Sequence, residues 1–335
     1  MRLGVLDIGS NSAQLLAVDT RPGAPPLPAH GIKEPTLLAE RIEPDGSIAQ
    51  EGIQQVAESV ARAVQAAQRF GVDQLYPFAT SAIRDAPNRE EVVERIWQLS
   101  GVRPQFLSGQ QEARLTYLAV HRWYGWSAGR ILMLDIGGGS MEIVLGRDTE
   151  PELAVSLPLG AGRLTRQFLP DDPPAPEQLK RLRRHVRDTL GEVADRLHWE
   201  GDARRVVATS KTFKQLARLA GAAPQRKGPF CRRTLAIDDV RDRIPRLAAM
   251  PAAKRARLRG ISQPRARQIL AGAVTAHATM AALNITELEI SPWALREGIV
   301  LEHLSVLAPI AEQRQLPLQA LSRTTGATVM ALPQR

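Results

Sequence analysis

Two stretches of this 335-residue chain repeat each other, and this repeat restricts the possible folds more than any other feature. "LDIGSNSAQLLA" (6–17) aligns without gaps on "LDIGGGSMEIVL" (134–145). Apolar residues continue after each glycine turn, so each copy is typical of strand, turn and strand. The phosphate loops of P-loop and dinucleotide folds differ, because their turn opens a helix. One such hairpin at the start of each half predicts two similar domains whose turns face a shared cleft, where backbone N–H groups and hydroxyls can bind phosphate.

The rest of the chain indicates an α/β fold. Strand-like runs alternate with amphipathic helical runs, such as residues 52–70, where apolar side chains recur at helical spacing. The second hairpin begins another series of the same kind. We therefore predict one domain over residues 1–124, a second over 125–307, and a loosely attached tail over 308–335.

Two capping patterns predict helix starts near the end of the first domain. Asn88 is followed three residues later by Glu91, and Ser108 is followed by Gln111. The helix after Ser108 is expected to run to about residue 122.

Charge is unevenly distributed along the chain. Residues 1–124 carry a net −2 and the remainder +11, which gives the overall +9. A basic half favours an anionic partner, although solvated basic helices would account for it equally well. Nucleic acid is not expected, because the basic runs 180–187 and 254–260 lack interleaved aromatic residues for base stacking.

Other compositional features indicate a cytoplasmic protein with no membrane partner. No stretch approaches the roughly 18 to 20 apolar residues of a transmembrane helix. The first residues lack the layout of a signal peptide. Cys231, the one cysteine, excludes an internal disulfide and fits a reducing compartment.

The paired hairpins resemble those of the superfamily of actin, sugar kinases and heat-shock ATPases. Over about residues 1–305, six blocks in order resemble the exopolyphosphatase / guanosine pentaphosphate phosphohydrolase family. They are "DIGSNS" (7–12), "ATSAIRDAPN" (79–88), "SGQQEARLTYLAV" (108–120), "DIGGGSMEIV" (135–144), "LPLGAGRLT" (157–165) and "LREGIV" (295–300). The chain is most similar to the short actinobacterial type. The resemblance implies an α/β fold of two actin-like (ribonuclease H-like) domains, with the active site in the interdomain cleft.

The same resemblance implies two catalytic residues. Glu112, in "SGxxEAR", would be the general base that accepts a proton from the attacking water. Alternatively, Glu112 has no catalytic role and only complements the helix dipole. Arg84 would neutralise charge on the transferred phosphate, as phosphoryl transfer depends on positioning and electrostatics. Its alternative is a simple ion pair with Asp85.

Acidic residues at the hairpins predict a Mg²⁺ site. Asp135 and Glu142 flank the second turn, and two carboxylates beside a polyphosphate would repel it unless a cation lay between them. Alternatively, both carboxylates face solvent and bind no metal. Asp7 has the matching position in the first copy and is a further candidate ligand. Gln14 replaces the glutamate there, so we expect the metal on the side of the second turn.

A further set of residues is expected to bind phosphate oxygens. In the turns these are Gly9, Ser10, Asn11, Ser12, Gly137, Gly138, Gly139 and Ser140. Arg163 and Arg296 are weaker candidates for neutralising charge. Lys211 lies where many relatives have a glycine-rich turn beside a nucleoside, so it would crowd a purine and favour another phosphate. The sequence is equally consistent with a Lys211 side chain that points into solvent.

Together these features predict Mg²⁺-dependent hydrolytic release of terminal orthophosphate from inorganic polyphosphate. Hydrolysis of guanosine pentaphosphate is the nearest alternative. The second alternative is a regulator that binds polyphosphate or a nucleotide with little turnover. An actin-like sugar kinase is less expected, since Glu112 in its motif suits activation of water. The oligomeric state, including a homodimer, stays open.

Overall fold

The computed structural model describes residues 1–21 and 25–307, so the predicted tail over 308–335 lies outside the described residues. The described chain forms two mixed sheets with helices packed against them. The first sheet has the order β3-β2-β1-β4-β5. Its strands are β1 (Arg2–Ile8), β2 (Ser12–Asp19), β3 (Pro28–Pro35), β4 (Gln74–Ala79) and β5 (Gln105–Phe106). Its helices are α1 (Gln50–Arg69), α2 (Ser81–Arg84), α3 (Arg89–Ser100) and α4 (Gly109–Tyr124).

The second sheet has the order β10-β11-β9-β6-β7-β8. Its strands are β6 (Ile131–Ile136), β7 (Met141–Gly146), β8 (Leu153–Leu157), β9 (Arg205–Ala208), β10 (Thr234–Ala236) and β11 (Glu287–Ile290). The helices of this half are α5 (Ala161–Phe168), α6 (Pro176–Glu200), α7 (Lys211–Leu219), α8 (Ile237–Ala248), α9 (Ala252–Arg255), α10 (Ile269–Ala282) and α11 (Leu295–Leu307).

The two sheets share one topology, as the internal repeat predicts. In each, three antiparallel strands are followed by two parallel ones, and the second sheet adds β10 at its edge. The hairpins also match in register, with Asp7 opposite Gln14 and Asp135 opposite Glu142. Each turn is closed by the same backbone hydrogen bond, from Gly9 to Ser12 at 3.0 Å and from Gly137 to Ser140 at 2.9 Å. The predicted two-domain actin-like fold is confirmed.

Burial explains why these runs become central strands. Alternate side chains of β1 enter different clusters, with Leu3 and Val5 on one face of the sheet and Leu6 and Ile8 on the other. Both faces are covered, so the strand is apolar throughout rather than alternating. Helix α1 buries an apolar stripe against one face, as its spacing predicts.

The helices that end each half cross to the other sheet. On α4, Tyr117 and Val120 pack with Met133 of the second sheet, while Val300 of α11 packs on the first. A Cβ on Gly298 would overlap the backbone of Leu115, so this glycine lets α11 lie directly against α4. Each sheet is thus covered in part by a helix from the other half. The first turn of α4 therefore lies where the two halves meet. The boundary between residues 124 and 125 stays a prediction.

One predicted cap forms and the other does not. Ser108 and Gln111 make both bonds of the capping box, at 3.2 and 2.8 Å. Helix α3 begins after Asn88 as expected, but the Asn88 side chain makes no capping bond. Its amide instead bonds both the N–H and the carbonyl of Ile48, each at 2.9 Å. The prediction of a capping box there was wrong, because a long-range contact occupies the side chain. Among the described residues, no helix is long and apolar enough to cross a membrane.

Candidate active site

A cavity of about 400 Å³ lies between the two sheets, where both hairpin turns end. Most of the residues predicted from the sequence line this cleft. They are Asp7, Gly9, Ser10, Asn11, Ser12, Glu112, Asp135, Gly137, Gly138, Ser140, Glu142, Lys211 and Arg296. The structure thus brings together side chains from positions up to 289 residues apart, as the pairing of the hairpins requires.

The second turn contacts the first domain through two of its glycines. A Cβ on Gly138 would overlap the hydroxyl of Ser10, and one on Gly139 would overlap that of Ser81. A Cβ on Gly160 would likewise meet the backbone of Gly139. These glycines therefore allow close approach of protein to protein. Gly139, although part of the second turn, lies outside the lining of the cleft.

Glu112 is held by an arginine from the first domain. Arg84, at the end of α2, donates from Nη1 to Glu112 Oε1 at 2.9 Å and to the carbonyl of Leu107 at 2.7 Å. Its Nε also donates to Asp85 at 2.9 Å, so the ion pair considered from the sequence is present as well. The Glu112 side chain is only 12% exposed. Burial raises its pKa to about 7, and Asp7 and Asp135 add to this, while Arg84 opposes it.

Of the other three carboxylates, Glu142 is buried, while Asp7 and Asp135 are partly buried. Asp135 accepts hydrogen bonds from the Thr209 hydroxyl and from the Ser210 N–H. Burial raises the pKa of Asp135, and it raises that of Glu142 to about 8, where repulsion from Asp135 contributes too. Asp7 Oδ1 has no hydrogen-bond partner among the described residues. Four acidic groups are therefore confined together at a cost in electrostatic free energy.

These carboxylates fit a divalent cation. Among residues 1–21 and 25–307, no three acidic, histidine or cysteine side chains converge into a ready metal cage. Mg²⁺ does not need one, because it usually binds through one or two carboxylates, waters and substrate phosphates. The unpartnered oxygen of Asp7 and the repulsion between Asp135 and Glu142 are what such an ion would relieve. Asp135, Glu142 and Asp7 are thus suitable to hold Mg²⁺.

A group of five cations, which we call the cationic wall, lines the same cleft. Its members are Lys33, Lys211, Lys214, Arg265 and Arg296. Burial lowers the pKa of the three lysines, that of Lys214 to about 8, and neighbouring cations lower them further. A bound polyanion would remove this repulsion.

Sequence reasoning did not identify Lys33, Lys214 or Arg265. Lys33 lies opposite Gln14 across β2 and β3, so a predicted third strand would have located it. Lys214 lies one helical turn after Lys211, on the same side of α7. Arg265 ends the short 3₁₀ helix Gln263–Arg265 within a generally basic segment, and no motif distinguishes it there.

Gln14 gives the first hairpin a role different from that of the second. It accepts a hydrogen bond from Arg296 at 2.7 Å and donates one to the Ser12 hydroxyl at 2.9 Å. At the matching position Glu142 accepts from Ser156 at 2.9 Å. The first turn therefore orients a cation toward the cleft, while the second presents a carboxylate.

Lys211 lies between the cleft and a second, apolar cavity. It follows Ser210, whose φ of 35° lies in the left-handed region that normally favours glycine. Lys211 and Lys214 also line an adjoining cavity of about 730 Å³, which includes Phe230 and Trp293. The lysine therefore does not fill all the space at this position, and apolar volume remains next to it.

Arg163 lies behind the second turn and outside the cleft lining. Its Nε donates to the carbonyl of Gly139 and its Nη2 to Asp85, each at 2.9 Å. Asp85 thereby joins Arg163 to Arg84, which also lies just outside the lining. Direct contact of either arginine with phosphate stays a prediction.

The repeated sheets and the acidic and cationic cleft between them define a two-domain protein of the actin-like class. The chain belongs to the Ppx/GppA phosphatase family, whose model matches residues 21–306. It is 50% identical over 304 residues to "Exopolyphosphatase 1" of Mycobacterium tuberculosis, which covers 91% of this chain and 88% of that protein. The Mycobacterium leprae protein of the same name is 47% identical, with 91% and 90% covered.

Solved structures agree with this assignment. The Ppx/GppA family member of Aquifex aeolicus has a TM-score of 0.73 at 26% identity and covers 92% of this chain and 98% of its own. An exopolyphosphatase from Cytophaga hutchinsonii has a TM-score of 0.82 at 21% identity, with 91% and 98% covered. The latter similarity supports the fold alone.

Proposed function

We propose that the protein is an exopolyphosphatase that releases terminal orthophosphate from inorganic polyphosphate by hydrolysis in the presence of Mg²⁺. The observation that carries this proposal is Glu112, a buried carboxylate with a pKa of about 7, in a cleft lined by both hairpin turns and the cationic wall. Similarity to two mycobacterial proteins named exopolyphosphatase 1 supports the same activity.

In the proposed reaction, Glu112 accepts a proton from a water molecule as that water attacks the terminal phosphorus. A new P–O bond forms to the water oxygen, and the bond to the bridging oxygen breaks. The products are orthophosphate and a chain one phosphate shorter. A general base of this kind contributes roughly 10²- to 10⁴-fold to the rate, and a pKa near the working pH suits the role.

The remaining residues bind and orient the substrate. The hydroxyls of Ser10, Ser12 and Ser140 and the backbone N–H groups of Asn11 and Gly138 donate to oxygens of the last phosphate groups, since the N–H groups of Gly9 and Gly137 close the turns. The cationic wall neutralises the chain that continues beyond them. Asp135 and Glu142, with Asp7, would hold Mg²⁺, which would supply electrostatic stabilisation of the developing charge.

The test is phosphate release by the purified protein, with Mg²⁺, from tripolyphosphate, long-chain polyphosphate, guanosine pentaphosphate and ATP side by side. We expect the polyphosphates to be the best substrates. Tight binding without turnover would contradict the proposal and favour a polyphosphate- or nucleotide-binding regulator.

Hydrolysis of guanosine pentaphosphate is a second candidate function, and one observation favours it. The apolar cavity beside Lys211 has room and aromatic walls for a nucleobase, with Phe230 stacked on Trp123 at 5.3 Å. A higher kcat/KM for guanosine pentaphosphate than for polyphosphate would make this the main activity.

A further inference from the structure

A second basic cavity opens beside the cleft, and we call it the outer groove. It has a volume of about 820 Å³ and lies between the segment that contains Ala39 and Glu40 and the helices α5 and α9. Three arginines line it, Arg166, Arg257 and Arg267, against one glutamate, Glu40. Its surface is therefore positively charged, although it lies outside the cleft that holds Glu112.

Two of these arginines have side chains without partners. Among the described residues, the guanidinium groups of Arg166 and Arg257 form no ion pair or hydrogen bond, although the backbone N–H of Arg257 bonds to Lys254. By contrast, Arg267 donates to the carbonyls of Leu169 and Pro170. Burial lowers the pKa of Arg166, and the neighbouring cation Arg163, one helical turn earlier, lowers it further. Two free guanidinium groups, each with five N–H donors, face a cavity in which a phosphate chain would be their natural ligand.

A buried amide in the same lining also lacks a partner. Gln268 is 5% exposed and lines the outer groove, and its Oε1 makes no hydrogen bond among the described residues. Buried polar atoms are usually paired, so an unpaired acceptor at a cavity wall points to a bound water, which can donate one hydrogen to this oxygen and the other to a phosphate oxygen. This observation is independent of the charge of the groove.

The outer groove adjoins the cleft at two places. The segment 263–268 forms a shared wall, with Arg265 in the cleft lining and Gln263, Arg267 and Gln268 in the groove lining. A small cavity of about 100 Å³ also touches both, since it shares Ser10 and Gly138 with the cleft and Arg166 with the groove. The groove therefore lies next to the cleft, across the shared wall of residues 263–268, within reach of a long ligand that extends out of the cleft over this segment.

We infer that the outer groove binds the distal part of long polyphosphate chains whose terminal phosphate occupies the cleft. This inference rests on the proposed function and adds a second binding site to it. Binding at two linked sites raises the affinity for long chains without any change at the site of hydrolysis. Tripolyphosphate, which is too short to occupy both, gains nothing from the groove.

The test is equilibrium binding of long-chain polyphosphate and of tripolyphosphate, measured in the hydrolysis-deficient Glu112→Gln background. Arg166→Ala with Arg257→Ala removes the two free cations of the groove. The matched control is Arg184→Ala with Arg187→Ala, which removes the same charge from the exposed face of α6. Two partly screened contacts correspond to a loss of roughly 5- to 30-fold in affinity for the long chain.

We expect this loss in the groove variant alone, with tripolyphosphate affinity within about twofold of the control. Equal losses in the groove and control variants would overturn the inference, as would equal losses for long and short chains. The proposed function fails separately, if the wild-type protein releases no phosphate from any polyphosphate. The binding measurement still decides on the groove in that case.

Discussion

Arg84 donates a hydrogen bond from Nη1 to Oε1 of Glu112 at 2.9 Å, and this bond joins α2 to the first turn of α4. The arginine fixes the position of the carboxylate, while its charge makes the carboxylate less basic. Burial acts in the opposite direction and is the larger effect, which leaves the pKa at about 7. Glu112 is therefore both oriented and able to accept a proton near neutral pH.

The first prediction concerns Glu112→Gln. The amide keeps the shape of the side chain but cannot accept the proton, so hydrolysis should fall by roughly 10²-fold or more. Polyphosphate binding and the melting temperature should change little. Glu51→Gln, an exposed residue at the start of α1, is the matched control. Turnover within a few-fold of wild type would remove Glu112 from the mechanism.

The second prediction is the pH profile of kcat/KM for polyphosphate. A base must be ionised, so activity should decrease as pH falls through the Glu112 pKa of about 7. Arg84→Ala removes a cation that lowers this pKa, so its acid limb should move to higher pH. A bound divalent cation acts in the other direction and should move the limb to lower pH. An acid limb that Arg84→Ala left unchanged would show that Glu112 is not the titrating group.

Binding of Mg²⁺ provides a third prediction, with a readout that does not depend on activity. If Asp135 and Glu142 hold the ion, Mg²⁺ at about 100 times its Kd should stabilise the protein by about 2.7 kcal/mol, seen as a higher melting temperature. Glu142 is protonated below its pKa of about 8, and protons compete with the metal. The thermal shift should therefore be larger at pH 8 than at pH 6.

Glu142→Gln and Asp135→Asn should each reduce this thermal shift, while Glu51→Gln should retain it. Equal shifts in all these variants would place Mg²⁺ elsewhere.

The sequence predicts the two hairpins of the site better than the complete set of residues that line the cleft. The repeat predicts both hairpins, because strand and turn patterns are local, and Asp7, Asp135 and Glu142 follow from it. Lys33 was missed, because β3 is a polar strand recognisable only by its pairing with β2. Arg265 reaches the cleft from a 3₁₀ segment that carries no local signal.

The glycines show a second limit of local reasoning. Gly138 and Gly139 are glycines because each of them packs against a serine of the first half, Ser10 and Ser81 respectively. A sequence motif can identify such a glycine, but a larger side chain is excluded there by a contact with a residue distant in the sequence.

The last prediction concerns Lys211, which separates the two proposed substrates. Lys211 belongs to the cationic wall and also borders the apolar cavity, so it can favour phosphate and restrict a nucleobase at the same time. The wild-type protein should prefer inorganic polyphosphate over guanosine pentaphosphate and ATP.

Lys211→Gly should weaken polyphosphate hydrolysis, chiefly through KM, because one charged contact is worth about 1 to 3 kcal/mol, or roughly 5- to 150-fold. The same change opens the way to the apolar cavity, so discrimination against nucleotides should relax. Lys254→Gly, an exposed lysine in α9, controls for the loss of charge and the added flexibility. The measurement is the ratio of kcat/KM for polyphosphate to that for guanosine pentaphosphate. A ratio that stays the same in Lys211→Gly would mean that the lysine does not discriminate between the two substrates, and discrimination would then depend on the rest of the cationic wall.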